Sequence, residues 1–461
     1  NLTARVEGRF DGRKLGATRL VAEVRNLSPA MLHWTEKFGN SRFSASVDAD
    51  IRSLDSLHPE GTLRVSDFNM KKEKDAYHLD ELQLSIAQGG KGSRVSLRSD
   101  FAHAEMEGPL SVTDLRVCLD NMLGRSLPGW KEVKDSRDSW RFTARLKKTD
   151  FLNELFGVPL NLEGPVEAEG TLRADGERNF VTVRTDGLEY DGMALRKLRL
   201  YLSGTGSQTS FLAQVEKNIG GTDMKFVLDA RTREGELLTE LAWDDGQTHK
   251  YCGKVSAHTA IGKPALGAER VLETWIIPTS VTVNDSLWRV SSGSFFLGKE
   301  KLEINDFQLS HKDEFLVVDG GLSRDSNDSL VIDLNNIDVE YILNLVDFHA
   351  VDFSGYATGK FKLSKSPDRP LFTTRLNVSG FKFNDAYLGE ADIRGRWNRT
   401  EKRIELDALM REDGVGETRV SGYVSPSAKK LDLDIRSKNT NLRFLQRYVA
   451  DIFSGLKGRT T

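Results

Sequence analysis

The nine residues Phe43-Ser44-Ala45-Ser46-Val47-Asp48-Ala49-Asp50-Ile51 decide the fold of this chain. Apolar and polar residues alternate without a break. Successive side chains of a β-strand point to opposite faces of its sheet, so this stretch has one apolar face and one polar face. The same period of two recurs at Phe142, Ala144 and Leu146 against Thr143, Arg145 and Lys147. It recurs again at Phe372, Thr374, Leu376 and Val378, and at Leu431, Leu433 and Ile435. Such alternation marks antiparallel sheet with one face in water. Turn-forming pairs punctuate the runs, among them Asp11-Gly12, Asp175-Gly176, Asp186-Gly187, Asp191-Gly192, Asp245-Gly246 and Asp413-Gly414. The chain reads as all-β.

A short repeat, apolar-x-Gly-x-apolar, lies over this alternation. Its glycines are Gly8, Gly108, Gly170, Gly320, Gly359, Gly395 and Gly422. Each falls in phase with the apolar face, where a missing side chain lets a sheet bend sharply. One copy alone is no more than a bulge. The series argues for a sheet that keeps curving in the same sense.

Helical signals are few. Ser28-Pro29 is an N-cap and first-turn pair ahead of Met31, Leu32 and Trp34. Asp150, Asp338 and Asn441 can each cap a short apolar-striped helix, and a weaker signal runs from Asp114 through Leu119 and Met122. Three of these share an order: cap, short helix, small loop, strand with glycine. The repeat divides the chain into modules at 1–148, 149–337 and 338–438, with the start of another at 439–461.

Composition fits an extended shape. Of 461 residues, 38% are hydrophobic and 29% charged, against roughly 45–50% and 25% in compact domains, which implies much surface for little core. The 65 basic and 68 acidic residues are mixed throughout, for a net charge of -3. No basic block tracks a nucleic-acid backbone; the densest run, Lys71-Lys72-Glu73-Lys74, is interrupted by a glutamate. Cys118 and Cys252 stand in no disulfide-scaffold or redox spacing. No run of about 18 apolar residues exists to form a membrane-spanning helix. The chain opens at Asn1 without a methionine and stops at Thr461 in mid-pattern, as expected of a segment cut from a longer protein.

Catalytic signatures are not found. The eight histidines form no metal-ligand spacing among themselves, and neither H-E-x-x-H nor G-x-S-x-G occurs. Asp48/Asp50 and Asp432/Asp434 place paired carboxylates on one strand face. That face is the polar one, so the pairs read as solvated. The chain is expected to be no enzyme, with no cofactor and no metal.

Nearly every strand has an apolar face, and there are too few helices to cover them. Either the sheet closes into sandwiches filled by its own side chains, or it stays open as a long antiparallel U-shaped β-groove. Some 28 strands at about 4.8 Å would extend on the order of 130 Å, the scale of a conduit. Mostly aliphatic inward residues favour the groove, and acyl chains gain ~0.8 kcal/mol per buried CH₂ on such a lining. The expected lining residues are Phe43, Val47, Ile51, Leu82, Leu84, Ile86, Leu200, Leu302, Ile304, Leu330, Ile332, Leu376, Val378, Ile404, Leu406, Leu431, Leu433 and Ile435. A rival reading is an assembly protein whose sheet edges dock partners by strand addition. A third is an extracellular adhesin or carbohydrate binder, but no cluster of aromatics with Asp, Asn or Gln supports it.

The stretch from Phe353-Ser-Gly-Tyr-Ala-Thr-Gly-Lys-Phe361 through Arg419-Val-Ser-Gly-Tyr-Val424 resembles the AsmA-like/TamB family of bacterial envelope proteins. Asn335-Asn-Ile-Asp-Val-Glu-Tyr-Ile-Leu-Asn-Leu345 and the close at Ser454-Gly-Leu-Lys-Gly-Arg459 fit as well. The resemblance is strongest over 280–461 and diffuse before that. It implies a periplasmic β-groove in a parent protein anchored in the inner membrane. It implies phospholipid as cargo, outer-membrane biogenesis as the process, and an outer-membrane barrel as partner through regions outside this segment.

Overall fold

The computed structural model describes residues 16–33, 35, 37–53, 59–72, 76–90, 92–110, 112–127, 129–130, 134–136, 138–246, 248–262, 271–323, 327–341, 353–365, 371–383, 386–412, 415–425, 430–440 and 458–459. The fold is all-β and antiparallel. Strand takes 72% of the described residues, about three times the usual share, which leaves few helices among them to cover the faces. The chain forms two compact units, one of Asn1–Asn218 with Asp223–Leu241, the other of Ile219–Thr222 with Ala242–Thr461.

The first unit begins with β1 (Gly16–Leu27), β2 (Arg42–Ser53), β3 (Glu60–Lys71), β4 (Ala76–Gly89), β5 (Gly92–Ser99) and β6 (Ala102–Gly108). Helix α1 (Val112–Ser126) follows, then β7 (Ser139–Leu146), a π-type turn at Leu152–Phe156, and β8 (Leu160–Leu162). Next come β9 (Val166–Arg173), β10 (Asn179–Tyr190), β11 (Met193–Thr205), β12 (Gln208–Ile219), β13 (Thr222–Arg233) and β14 (Glu236–Asp244), whose last three residues, from Ala242, belong to the second unit. Each of β1 to β12 pairs with its sequence neighbour, except that β7 pairs with β9 and β8 pairs with β10.

The second unit holds β15 (Tyr251–Ile261), β16 (Leu272–Ile277), β17 (Thr279–Val283), β18 (Ser286–Val290), β19 (Ser294–Leu297), β20 (Leu302–His311) and β21 (Glu314–Leu322). It continues with β22 (Leu330–Asp338), β23 (Phe353–Leu363), β24 (Phe372–Phe383), β25 (Ala386–Asn398), β26 (Arg403–Glu412), β27 (Gly416–Ser425) and β28 (Lys430–Lys438). From β20 to β28 it is a plain meander.

Six strands carry the same irregularity. The sequences Val24-Arg25-Asn26-Leu27, Val65-Ser66-Asp67-Phe68, Leu195-Arg196-Lys197-Leu198, Ile304-Asn305-Asp306-Phe307, Leu334-Asn335-Asn336-Ile337 and Val378-Ser379-Gly380-Phe381 each contain a β-bulge. Two apolar residues stand three apart, so strict alternation would throw the second onto the polar face. The bulge inserts one residue and returns it to the apolar face. In every case the third residue is left-handed: Asn26, Asp67, Lys197, Asp306, Asn336 and Gly380 have φ between 49° and 61°. Asn, Asp and Gly enter that region most readily.

The expected glycines lie on the apolar face at every described copy; Gly8 lies outside the described residues. Two of them explain the choice of residue. Gly359 (φ 148°) faces Leu376, and Gly422 (φ 150°) faces Leu433. A Cβ at Gly359 would drive into the carbonyl oxygen of Arg375, and one at Gly422 into that of Asp432. The neighbouring backbone lies too close for any side chain there.

Helix expectations meet mixed outcomes. The Ser28 signal gives turns, not a helix. Ser28 accepts from the Leu32 N–H through its carbonyl and from the Met31 N–H through Oγ, but His33 is left-handed (φ 54°) and ends the winding; Trp34 lies outside the described residues. The helix expected from Asp114 starts two residues earlier, at Val112, so Asp114 is not its cap. The turn expected at Asp150 forms and stops at Gly157, which is left-handed (φ 67°), but Asp150 is itself helical and does not cap it. Residues 339–341 after Asp338 are helical. The rest of that helix and the one at Asn441 lie outside the described residues.

Candidate functional site: an apolar trough in the first unit

The register of the first unit lines up one apolar row across eleven strands. Leu20, Ala49, Leu63, Leu84, Leu97, Ala104, Ala144, Ala168, Val183, Leu200 and Ala213 stand opposite one another in succession. Beside it runs a second row: Ile51, Gly61, Ile86, Val95, Met106, Phe142, Gly170, Val181, Leu202 and Phe211. At about 4.8 Å per strand the first row is about 50 Å long.

Apart from Ala49 and Gly170, every member of the two rows is half-buried. Neighbours on the same face cover their flanks, and of the second row Met106, Phe142 and Val181 also pack against α1. A sandwich core of the same residues would bury them fully. Three alanines, Ala104, Ala144 and Ala168, lie side by side and lower the floor in the middle of the first row.

Two walls flank this floor. On one side α1 lays Leu115, Cys118 and Leu119, spaced as one helical face, against Met106, Trp140, Phe142, Leu172 and Val181. Asn121, fully buried, fastens the helix. Its Nδ2 donates to the carbonyls of Ala174 at 3.0 Å and Lys134 at 2.8 Å, and its Oδ1 accepts from the Lys134 N–H at 2.8 Å. Ser126 and Thr209 share a hydrogen bond at 3.0 Å at the helix end. On the other side stands an aromatic wall. Phe38, Phe43, Phe68, Tyr77 and Phe151 follow one another at centroid distances of 5.3 to 6.4 Å, and Phe101 stacks on Phe151 at 4.6 Å. Along β7 the walls meet the floor at Trp140 and Leu146. Six residues of strand separate these, about 20 Å.

At the aromatic wall lies a polar cleft of roughly 390 Å³ lined by Tyr77, His78, Asp100, Lys148 and Asp150 among others. Burial pushes the Tyr77 hydroxyl up to about 12, and the Asp100 and Asp150 carboxylates add to the effect. Burial also works against ionisation of Asp100. The backbone N–H groups of Asp80 and Glu81, which donate to it at 2.8 and 3.3 Å, outweigh that and hold its carboxyl below the usual range. Asp100 thus completes the β4 ladder where β5 has ended.

The opposite face of the sheet is charged and wet. Arg64, Gln83, Arg98, His103, Arg145, Glu167, Arg184 and Arg199 stand in consecutive register. Arg184 meets Glu167 at 2.6 Å and Arg64 meets Glu81 at 2.9 Å. Such exposed pairs contribute little stability each. Asp48 belongs to this face, paired with Arg19 at 3.5 Å, and Asp434 pairs with Arg436 at 2.9 Å.

Of the expected lining residues, Leu84 and Leu200 lie in the first row, and Ile51 and Ile86 in the second. Val47 and Leu82 form a shorter row with Val65, and Phe43 belongs to the aromatic wall. The second unit places its candidates differently. Ile304, Leu330 and Val378 are buried by the chain itself. Leu302, Ile332, Leu376, Ile404, Leu406 and Leu433 are half-buried, Ile435 is 51% exposed, and Leu431 is in register with Val424. Sequence reasoning missed α1 as a wall, although Leu115, Leu119 and Met122 carry its stripe. It also missed a cluster of Asp244, His249 and Cys252 around the loop after β14.

Neither any protein-family model nor any curated protein matches the chain.

Proposed function

We propose that the trough of the first unit holds lipid acyl chains and lets them pass along it. The protein is then a non-enzymatic element of phospholipid transport between the inner and outer membranes of a bacterial envelope, of the AsmA-like/TamB kind. The observation that carries this reading is the pair of apolar rows, continuous over ten and eleven strands and left half-open between two walls. An apolar strip of this extent, rimmed by polar residues, marks a binding surface in a water-facing protein. All positions along the rows are chemically alike, so a chain can slide without crossing a selective contact. Each methylene that leaves water gains ~0.8 kcal/mol. Head groups remain at the open side, in water.

The test is extraction of co-purifying lipid from the chain prepared without detergent, followed by mass spectrometry. Several phospholipids per chain, lost in Leu84→Glu and Leu200→Glu variants that remain folded, are expected. A stable monomer free of lipid would overturn the reading.

A further inference from the structure

Among the described residues, one group brings three ligand types of different chemistry to a single point. Asp244 ends β14, Cys252 lies at the start of β15, and His249 sits in the loop between them. One carboxylate oxygen, one ring nitrogen and the Cys252 sulfur all lie within 4.8 Å of one another. The loop is held in shape by a neighbour that takes no part in the group. Asp245, 7% exposed, accepts from the N–H groups of Thr248, His249, Lys250 and Tyr251 at 2.6 to 3.3 Å and from the Thr248 hydroxyl at 2.8 Å. With its carboxylate turned inward to the backbone, the adjacent Asp244 carboxylate is turned to His249, whose Nδ1 lies 3.0 Å from Oδ2. The Cys252 thiol reaches the His249 carbonyl at 3.3 Å.

We infer that Asp244, His249 and Cys252 form a binding site for a zinc-class divalent cation, which closes the loop between β14 and β15. A sulfur, an imidazole and a carboxylate suit borderline ions such as Zn²⁺, whereas Ca²⁺ and Mg²⁺ prefer oxygen alone. Ligands of a tetrahedral zinc ion stand about 3.5 Å apart. His249 is exposed, so a modest side-chain rotation closes the remaining gap. Binding releases the Cys252 thiol proton to water, and the ring hydrogen that His249 shares with Asp244 passes by way of water to Nε2, so that the imidazole binds neutral through Nδ1. The fourth position faces solvent and takes a water molecule.

The experiment is titration of the reduced chain with Co²⁺, followed by absorption spectroscopy. A thiolate-to-cobalt charge-transfer band is expected, saturating at one ion per chain and bleached by Zn²⁺. Cys118→Ser, which alters the other, buried cysteine, retains the band; Cys252→Ser loses it. His249→Ala in the loop and the isosteric Asp244→Asn at the end of β14, which keeps the carbonyl oxygen that accepts from Gly246, weaken Co²⁺ binding at least tenfold. No band in the unmodified chain overturns the site. So does an undiminished band in Cys252→Ser, or unchanged affinity in both loop variants.

Discussion

The two units use the same devices and reach different ends. In the first, Leu84, Leu97, Ala104, Ala144 and Ala168 run side by side with their tips open. In the second, the corresponding row of Ile337, Ala357, Val378, Ala391, Met410 and Thr418 is buried throughout. Trp243, Val255 and Trp288, from strands well before β22, pack with Leu334, Phe361 and Leu376. Val290, Leu309, Leu316 and Leu334 stand opposite one another in register across β18, β20, β21 and β22, so this core is built from neighbouring strands. Its apolar rows carry Gly320, Gly359, Gly389 and Gly422 at positive φ; in the first unit Gly108 on the apolar face shares that conformation, and Gly61 and Gly170 do not. What differs between the two rows is cover by nearby side chains: Val339, Phe353, Phe383, Ile393 and Val420 pack against the buried row of the second unit.

The sharpest way to break this comparison is to place one charge in each row. Val378→Glu buries an unpaired carboxylate and is expected to cost on the order of 4 kcal/mol, enough to unfold the second unit. Leu84→Glu leaves its charge in reach of water and should cost about 1–2 kcal/mol. Thermal unfolding followed by circular dichroism separates the two. Equal losses would mean that the first unit is also a filled core.

A smaller effect tests the close approach of strands at glycine. Gly359→Ala forces a side chain against the Arg375 carbonyl at a φ that alanine avoids. The expected loss is about 2 kcal/mol in denaturant unfolding of the second unit, with lipid content of the first unit unchanged. A neutral substitution would mean that the strands do not need glycine to approach so closely.

The smallest concerns the aromatic wall. The Asp100 carboxyl is held below its usual range in the folded chain. It therefore adds stability above the unfolded carboxylate range and loses it as pH falls through the lowered folded value. Asp100→Asn should be less stable than the parent at neutral pH, and the two should converge in acid. A gap that persists at low pH would assign the loss to packing, not charge.

The alternation at Phe43–Ile51 or Phe142–Leu146 carried the fold class, because a strand's two faces are written into its own residues. The bulges were equally visible in principle. Val24-Arg25-Asn26-Leu27 and Ile304-Asn305-Asp306-Phe307 break the period of two by one residue, with Asn or Asp just before the second apolar residue. What Val378 and Leu84 could not reveal is which of them is covered. Both are aliphatic residues in phase on alternating strands. Their difference arises from the side chains around them: Val378 lies in a cluster with Ala357, Phe381 and Leu388 that Phe353 and Phe383 pack against, whereas Leu84 has no such cover among the described residues. The Asp244, His249 and Cys252 cluster escaped for a related reason. Its three ligands differ in type, and their meeting depends on a loop that Asp245 organises.

The pairing of nearly every strand of the first unit with its sequence neighbours also governs how that unit comes apart. Contacts made mostly between adjacent segments keep loop-closure entropy small. Such a unit can nucleate at any hairpin and extend by adding strands, and its stability is a sum of neighbouring interfaces, not one all-or-none transition. Amide exchange should then be graded along β1 to β12, slowest where α1 fastens β6, β7 and β9, and fastest toward the first strand.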